Sequence, residues 1–177
     1  HDAYFWALGA LDMAEGTGQP GPLSMLIFLV SAATGAGIDT FLALLPLFIA
    51  PLVVIPVVLL GRTLGSLWLG ILAAVFTAIA PAYYYRTVPG YVDTDMLNLF
   101  LPMTVLWATT ECVLRSNRHV ALVGGVFAAL SVWWFPSIWT ILIAFIGVVG
   151  LYSLILRELS VERMLLLGIL LTSLLPM

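Results

Sequence analysis

Lysine is absent from this chain, and six arginines with nine acidic residues supply all of its side-chain charge, 8% of 177 positions. A soluble domain carries roughly 25% charged residues, so a water-exposed globular surface is excluded. With no lysine and a small formal net charge of −3, nothing suggests a nucleic-acid partner. Cysteine occurs once, as Cys112 in an apolar run, so no disulfide can staple the chain. Cys112 reads as a small apolar filler. The two histidines, His1 and His119, lack metal-ligand spacing, and His119 beside Arg118 reads as a loop residue. No internal repeat or low-complexity tract is present.

What the chain has is apolar length: 63% of its residues are hydrophobic and mean hydropathy is +1.16. The expected fold class is all-α, a polytopic membrane helix bundle, because only helices satisfy their backbone polar groups within one segment in lipid. About six spans are expected, near 39–61, 64–84, 96–114, 120–134, 138–156 and 161–177, the first of them long enough to cross a hydrocarbon core about 30 Å thick. Prolines at 46, 51 and 56 predict kinks in the first of them. Residues 1–38 form the expected external loop. An amphipathic helix is read before the turn-rich stretch at 16–22, and over 23–37 a short helix that suits an interfacial or re-entrant place as easily as a span. Asp39 reads as the N-cap of the helix that follows. Glu111 and Arg115 have the i,i+4 order of a stabilising pair.

Five arginines, at 62, 115, 118, 157 and 163, fall in loops that alternating spans place on one face, which the positive-inside rule makes cytoplasmic. Arg86 alone is on the other face, with Asp2, Asp12, Glu15, Asp39, Asp93 and Asp95. The segment Arg86-Thr87-Val88-Pro89-Gly90-Tyr91-Val92-Asp93-Thr94-Asp95 gathers three charges between two apolar runs. At the bilayer centre each would cost about 2.5 to 3.5 kcal/mol, roughly 8 to 10 together. They therefore sit at a membrane face or in a watered cavity, and charges kept there are a site by default. Asp93 and Asp95 flank a threonine at the mouth of a helix and offer hard oxygens for Mg²⁺ or Mn²⁺. Arg86 is close enough in sequence to orient a carboxylate or meet a phosphate. Asp2 is a second carboxylate station on the same face. A bland alternative is that the two acids only cap the helix near Met96. Trp133 and Trp134, at a span end, suit an aromatic belt as well as the wall of a lipid site.

His1-Asp2-Ala3-Tyr4, Leu52-Val53-Val54-Ile55-Pro56, Tyr84-Tyr85-Arg86-Thr87, Gly90-Tyr91-Val92-Asp93-Thr94-Asp95-Met96-Leu97 and Trp133-Trp134-Phe135-Pro136-Ser137 occur here in one order. In these segments the chain resembles the catalytic subunit of oligosaccharyltransferase, and closely its bacterial single-subunit form. The resemblance implies a membrane glycosyltransferase of the C superfamily. Such an enzyme moves a glycan from a polyprenyl-pyrophosphate carrier to asparagine in Asn-x-Ser/Thr sequons, as a multi-pass protein of the inner (plasma) membrane with its active face periplasmic or external. It further implies Mn²⁺ or Mg²⁺ as cofactor, Asp2 and Asp93 as ligands, and Asp95 and Arg86 in support of the site. Trp133, Trp134 and Phe135 would touch the lipid-linked donor, Phe135 without the hydroxyl that relatives carry at that place. Partners implied are the oligosaccharide donor, a sequon-bearing acceptor and the bilayer. The family's later catalytic glutamate and its Trp-Trp-Asp-Tyr-Gly motif have no counterpart up to Met177. The start at His1 and the end inside an apolar run therefore read as a fragment, expected to be inactive by itself. Two other classes are weighed: another polyprenyl-phosphate glycosyltransferase, and a transporter using Asp93, Asp95 and Arg86 as an ion path. The transporter reading requires acids continuing down the spans, where only Glu111 is found.

Overall fold

In a computed structural model the description covers residues 2–17, 21–115, 117–156 and Gly168. Every regular element among them is helical, as the all-α reading expects. In chain order they are α1 (Asp2–Glu15), α2 (Pro22–Thr34), α3 (Ile38–Ile49), a 3₁₀ stretch Ala50–Val53, α4 (Val54–Thr63), α5 (Leu67–Ile79), α6 (Pro81–Tyr84), α7 (Asp95–Asn98), α8 (Phe100–Arg115), α9 (Arg118–Trp134), a 3₁₀ turn Pro136–Ile138 and α10 (Trp139–Leu156). The span expected over 161–177 lies outside the described residues, apart from Gly168.

Among the described residues two helical runs are long and apolar enough to cross a membrane: Ile38–Thr63, of 26 residues, and Asp95–Arg115, of 21. At 1.5 Å per residue they reach roughly 39 and 31 Å. The three prolines of the first run leave it continuous but rewind it as 3₁₀ over Ala50–Val53, where Pro51 has no N–H to give an α-helical ladder. In the second, Leu99 is a turn between α7 and α8. Pro102 explains the irregularity, because its ring cannot donate to the Asn98 carbonyl four residues back and clashes with it. The stretch expected as one span over 64–84 is instead divided. Ala80 adopts φ −56° and ψ 124° before Pro81, since proline disfavours helical geometry in the residue it follows.

Smaller corrections concern helix ends. Asp39 is not an N-cap: Gly37 holds that position without a side-chain bond, and Asp39 lies in the first turn of α3, where it complements the helix dipole. His119 is not in a loop but in the first turn of α9, whose cap Asn117 accepts from the His119 and Val120 N–H groups at 3.1 and 3.4 Å. The short helix expected over 23–37 is α2, which at 13 residues spans only about 20 Å, with Pro22 at its start.

The helices form two compact units, His1–Leu52 with Ala78–Leu97, and Val53–Thr77 with Asn98–Met177. In the first, α1 packs on α2 through Ala7, Ala10, Leu23 and Ile27, all buried. The Ser24 hydroxyl donates to the Trp6 carbonyl at 2.9 Å. The outer face of α1 is less amphipathic than expected, exposing Tyr4, Phe5, Leu8 and Leu11 beside Asp12 and Glu15. In the second unit α8, α9 and α10 enclose Val105, Cys112, Ala121, Ala128, Ile138 and Leu142, and Cys112 is buried among them as an apolar filler. Glu111 is buried too. Its carboxylate accepts from Thr63 of α4 and from Arg115 Nη1, the latter at 3.1 Å, so the i,i+4 pair is present and extends to a second helix. Helix α5 buries only Gly70 and Ala74 and leaves Trp68, Leu69, Leu72, Phe76 and Ile79 exposed. A face this apolar is stable only against lipid or protein.

Candidate functional site

Arg86, Asp93 and Asp95 belong to the first unit, in the connection between α6 and α7. That connection has one regular feature. The Tyr91 N–H bonds the Val88 carbonyl at 3.0 Å, and Gly90 has φ +83°. This is a type II turn with proline at its second and glycine at its third position, as Pro89-Gly90 demands. The turn folds the chain back on itself. Val92 and Met96, both buried, anchor the returning strand of the loop.

The reversal brings Arg86 to Asp95: Nη1 donates to Oδ2 at 2.7 Å. The arginine side chain is 63% exposed and the aspartate 22%. This bond, with the charge of Asp95, raises the Arg86 pKa above its usual value, so the guanidinium is a fixed cation. An exposed pair adds little to stability. Its consequence is geometric, because it aims the Asp95 carboxylate.

Asp93 is placed differently. Its Oδ1 accepts from the Thr94 N–H at 2.7 Å and the Thr94 hydroxyl at 3.3 Å, while Oδ2 accepts no hydrogen bond from a described residue. The N–H groups of Met96 and Leu97 go instead to the backbone carbonyls of Asp93 and Thr94. The Asp93 side chain therefore does not cap α7, which counts against the bland reading for this residue.

Among the described residues no three histidine, cysteine or acidic side chains converge as a metal site. The side chain of Asp2, at the start of α1, is not among those described. Trp133, Trp134 and Phe135 belong to the second unit. Trp134 is 5% exposed, whereas Trp133 and Phe135 are 43% and 38% exposed, and Phe135 leaves the helix with φ −146° and ψ 96° ahead of Pro136.

Sequence reasoning passed over Tyr83. Its hydroxyl donates to the Ala50 carbonyl at 2.7 Å and lies 3.2 Å from that of Met96. It stands beyond the end of α5, and burial pushes its phenol up to about 12. A signal was present in the run Tyr83-Tyr84-Tyr85, but which tyrosine turns inward is invisible without the fold.

The family described as "Oligosaccharyl transferase STT3, N-terminal" matches residues 19–174. The chain is 33% identical over 165 residues to the undecaprenyl-diphosphooligosaccharide–protein glycotransferase of Campylobacter jejuni serotype O:2, covering 89% of this chain and 23% of that relative. The corresponding protein of Campylobacter jejuni strain RM1221 gives the same figures. A dolichyl-phosphooligosaccharide-protein glycotransferase of Methanococcus voltae is 25% identical over 93 residues, covering 48% of this chain and 10% of that relative. The chain thus spans about a quarter of the length of the Campylobacter relatives and a tenth of the Methanococcus one.

Proposed function

Because this chain belongs to the oligosaccharyl transferase STT3 family, we propose that it forms part of a membrane glycosyltransferase of protein N-glycosylation. The donor is a polyprenyl-pyrophosphate-linked oligosaccharide and the acceptor is the asparagine of an Asn-x-Ser/Thr sequon. The bond between the glycan anomeric carbon and the pyrophosphate oxygen breaks, a bond to the asparagine nitrogen forms, and that nitrogen loses a proton. The observation that carries this reading is the Arg86–Asp95 pair beside an Asp93 oxygen that accepts no hydrogen bond from a described residue, within the stretch matched to the family.

The donor chemistry fits a hard divalent cation. Asp93 offers an oxygen that no described residue hydrogen-bonds, and Asp95 is oriented by a cation that partly offsets its charge. Asp2, Asp93 and Asp95 would hold Mn²⁺ or Mg²⁺, with Asp95 as ligand or as support. When bound, the ion supplies Lewis-acid stabilisation of the leaving pyrophosphate. The protein's own part is to position. Arg86 holds Asp95 in place, and carboxylates of this set accept N–H bonds from the acceptor amide. Its nitrogen is a poor nucleophile while its lone pair is conjugated, and such bonds weaken the conjugation. Trp133 and Phe135 present exposed aromatic surface suited to a polyprenyl chain, while buried Trp134 holds the end of α9.

In this reading residues 1–38 are external, and the crossings are the run Ile38–Thr63, the apolar stretch around α5, the run Asp95–Arg115, α9, α10 and residues 161–177. The arginines at 62, 115, 118, 157 and 163 lie on the cytoplasmic side and the Arg86–Asp95 loop faces the periplasm. The test uses the purified intact protein with lipid-linked oligosaccharide and a sequon peptide. Glycopeptide is expected, lost on treatment with EDTA and restored by Mn²⁺ or Mg²⁺. Absence of glycopeptide under all conditions overturns the function, and full turnover after EDTA overturns the metal site alone.

A further inference from the structure

We propose that Tyr83 is the positioning residue of the Arg86–Asp95 loop, its hydroxyl and its own carbonyl tying the two ends of that loop to the helical run at Ala50. This rests on the function proposed above and adds a residue to the same site.

The loop from 86 to 94 has no helix of its own and one β-turn, so its shape depends on what holds its ends. At the entry, the Tyr83 carbonyl accepts from the Arg86 N–H at 3.1 Å and from the Thr87 hydroxyl at 2.9 Å. At the exit, the Tyr83 hydroxyl lies 3.2 Å from the carbonyl of Met96, the residue that follows Asp95 and is fully buried. The same hydroxyl donates to Ala50 at 2.7 Å. One residue thus meets the start of the loop, its end and a third segment distant in sequence. The alternative fastener is the Arg86–Asp95 pair, which is exposed and screened by salt, and such pairs hold little. A half-buried hydroxyl facing two carbonyls is the stronger constraint, since its loss removes the donor that links these segments. With its phenol pushed up by burial, Tyr83 remains a donor across neutral and mildly alkaline pH.

Tyr84 provides an internal control. It is 53% exposed, its backbone bonds Ala80 and Thr87, and among the described residues its side chain meets a specific partner in the ring of Tyr85. Tyr83→Phe and Tyr84→Phe remove the same atom from neighbouring residues, and both keep the ring.

The experiment compares these variants in the intact protein in two ways. In peptide glycosylation, Tyr83→Phe is expected to lower kcat by about tenfold, equivalent to ~1.4 kcal/mol, and to raise the Mn²⁺ concentration for half-maximal rate, while the peptide KM stays unchanged. In limited digestion with trypsin, cleavage after Arg86 is expected to quicken several-fold in Tyr83→Phe. Tyr84→Phe should match the parent in both. Unchanged kcat together with unchanged cleavage at Arg86 overturns the proposal, as does an equal effect of Tyr84→Phe. If the parent forms no glycopeptide, the function falls, and the rate of cleavage at Arg86 still decides whether Tyr83 holds the loop.

Discussion

Asp93 and Asp95 are two residues apart in sequence, yet their surroundings assign them different work. Asp95 has an oxygen bonded to a permanent cation, whereas the Asp93 carboxylate, among the described residues, bonds the adjacent threonine alone. Asparagine separates cap from ligand because it caps helices about as well as aspartate but brings no negative charge to a hard cation. Asp93→Asn in the intact protein is therefore expected to reduce glycopeptide formation by on the order of 10²-fold, about 2.7 kcal/mol of barrier, with membrane insertion unchanged. Asp95→Asn should be impaired less, since Arg86 can still donate to the amide oxygen. Near-normal turnover of Asp93→Asn at normal expression would remove it from the ligand set.

At the scale of elements, the α4–α5 hairpin shows how small residues set packing in an apolar chain. Gly61 and Gly70 meet backbone to backbone, and a Cβ on Gly70 would lie 2.8 Å from the Val58 carbonyl oxygen. Between membrane helices no hydrophobic force distinguishes lipid from protein, so close approach through glycine is what makes contact favourable. A methyl group at Gly61 has nowhere to go without parting the two helices, and overpacking of this kind costs about 1 to 3 kcal/mol. Gly61→Ala is expected to lower the thermal midpoint of the detergent-solubilised protein by several degrees. Gly37→Ala is the control, since nothing stands within 4 Å of a Cβ there, and equal midpoints for the two variants would show that the contact does not matter. The Thr63–Glu111–Arg115 cluster fastens α4 to α8 by another route, with a buried carboxylate that has both a hydroxyl and a guanidinium as donors.

For the whole molecule the arrangement of charges decides orientation. In the topology proposed above, Arg86 and its acids face the periplasm and Arg62 the cytoplasm, so cysteines at Val88 and Leu64 should differ in access. With Cys112 replaced, Val88→Cys is expected to react with an impermeant thiol reagent from the periplasmic side, and Leu64→Cys only after the membrane is opened. Labelling of Leu64→Cys alone from outside would invert the topology and remove the site from the compartment proposed for transfer.

Composition alone determined that this chain is helical and apolar, because a sequence with so few charges cannot clothe a soluble surface. The Pro89-Gly90 turn and the mouth of the helix at Asp95 were equally legible, since proline and glycine act on the backbone locally. The division at Ala80 was within reach of the same local rule, and Pro81 was simply outweighed by the hydropathy of the run. Beyond local rules lay the partners. That Arg86 meets Asp95, that Asp93 caps nothing, that Thr63 reaches Glu111 and that Tyr83 rather than its two neighbours turns inward depend on which segments pack together. A tyrosine repeated three times has one hydropathy at every position. Only the neighbouring backbone, Ala50 on one side and Met96 on the other, makes one of the three different.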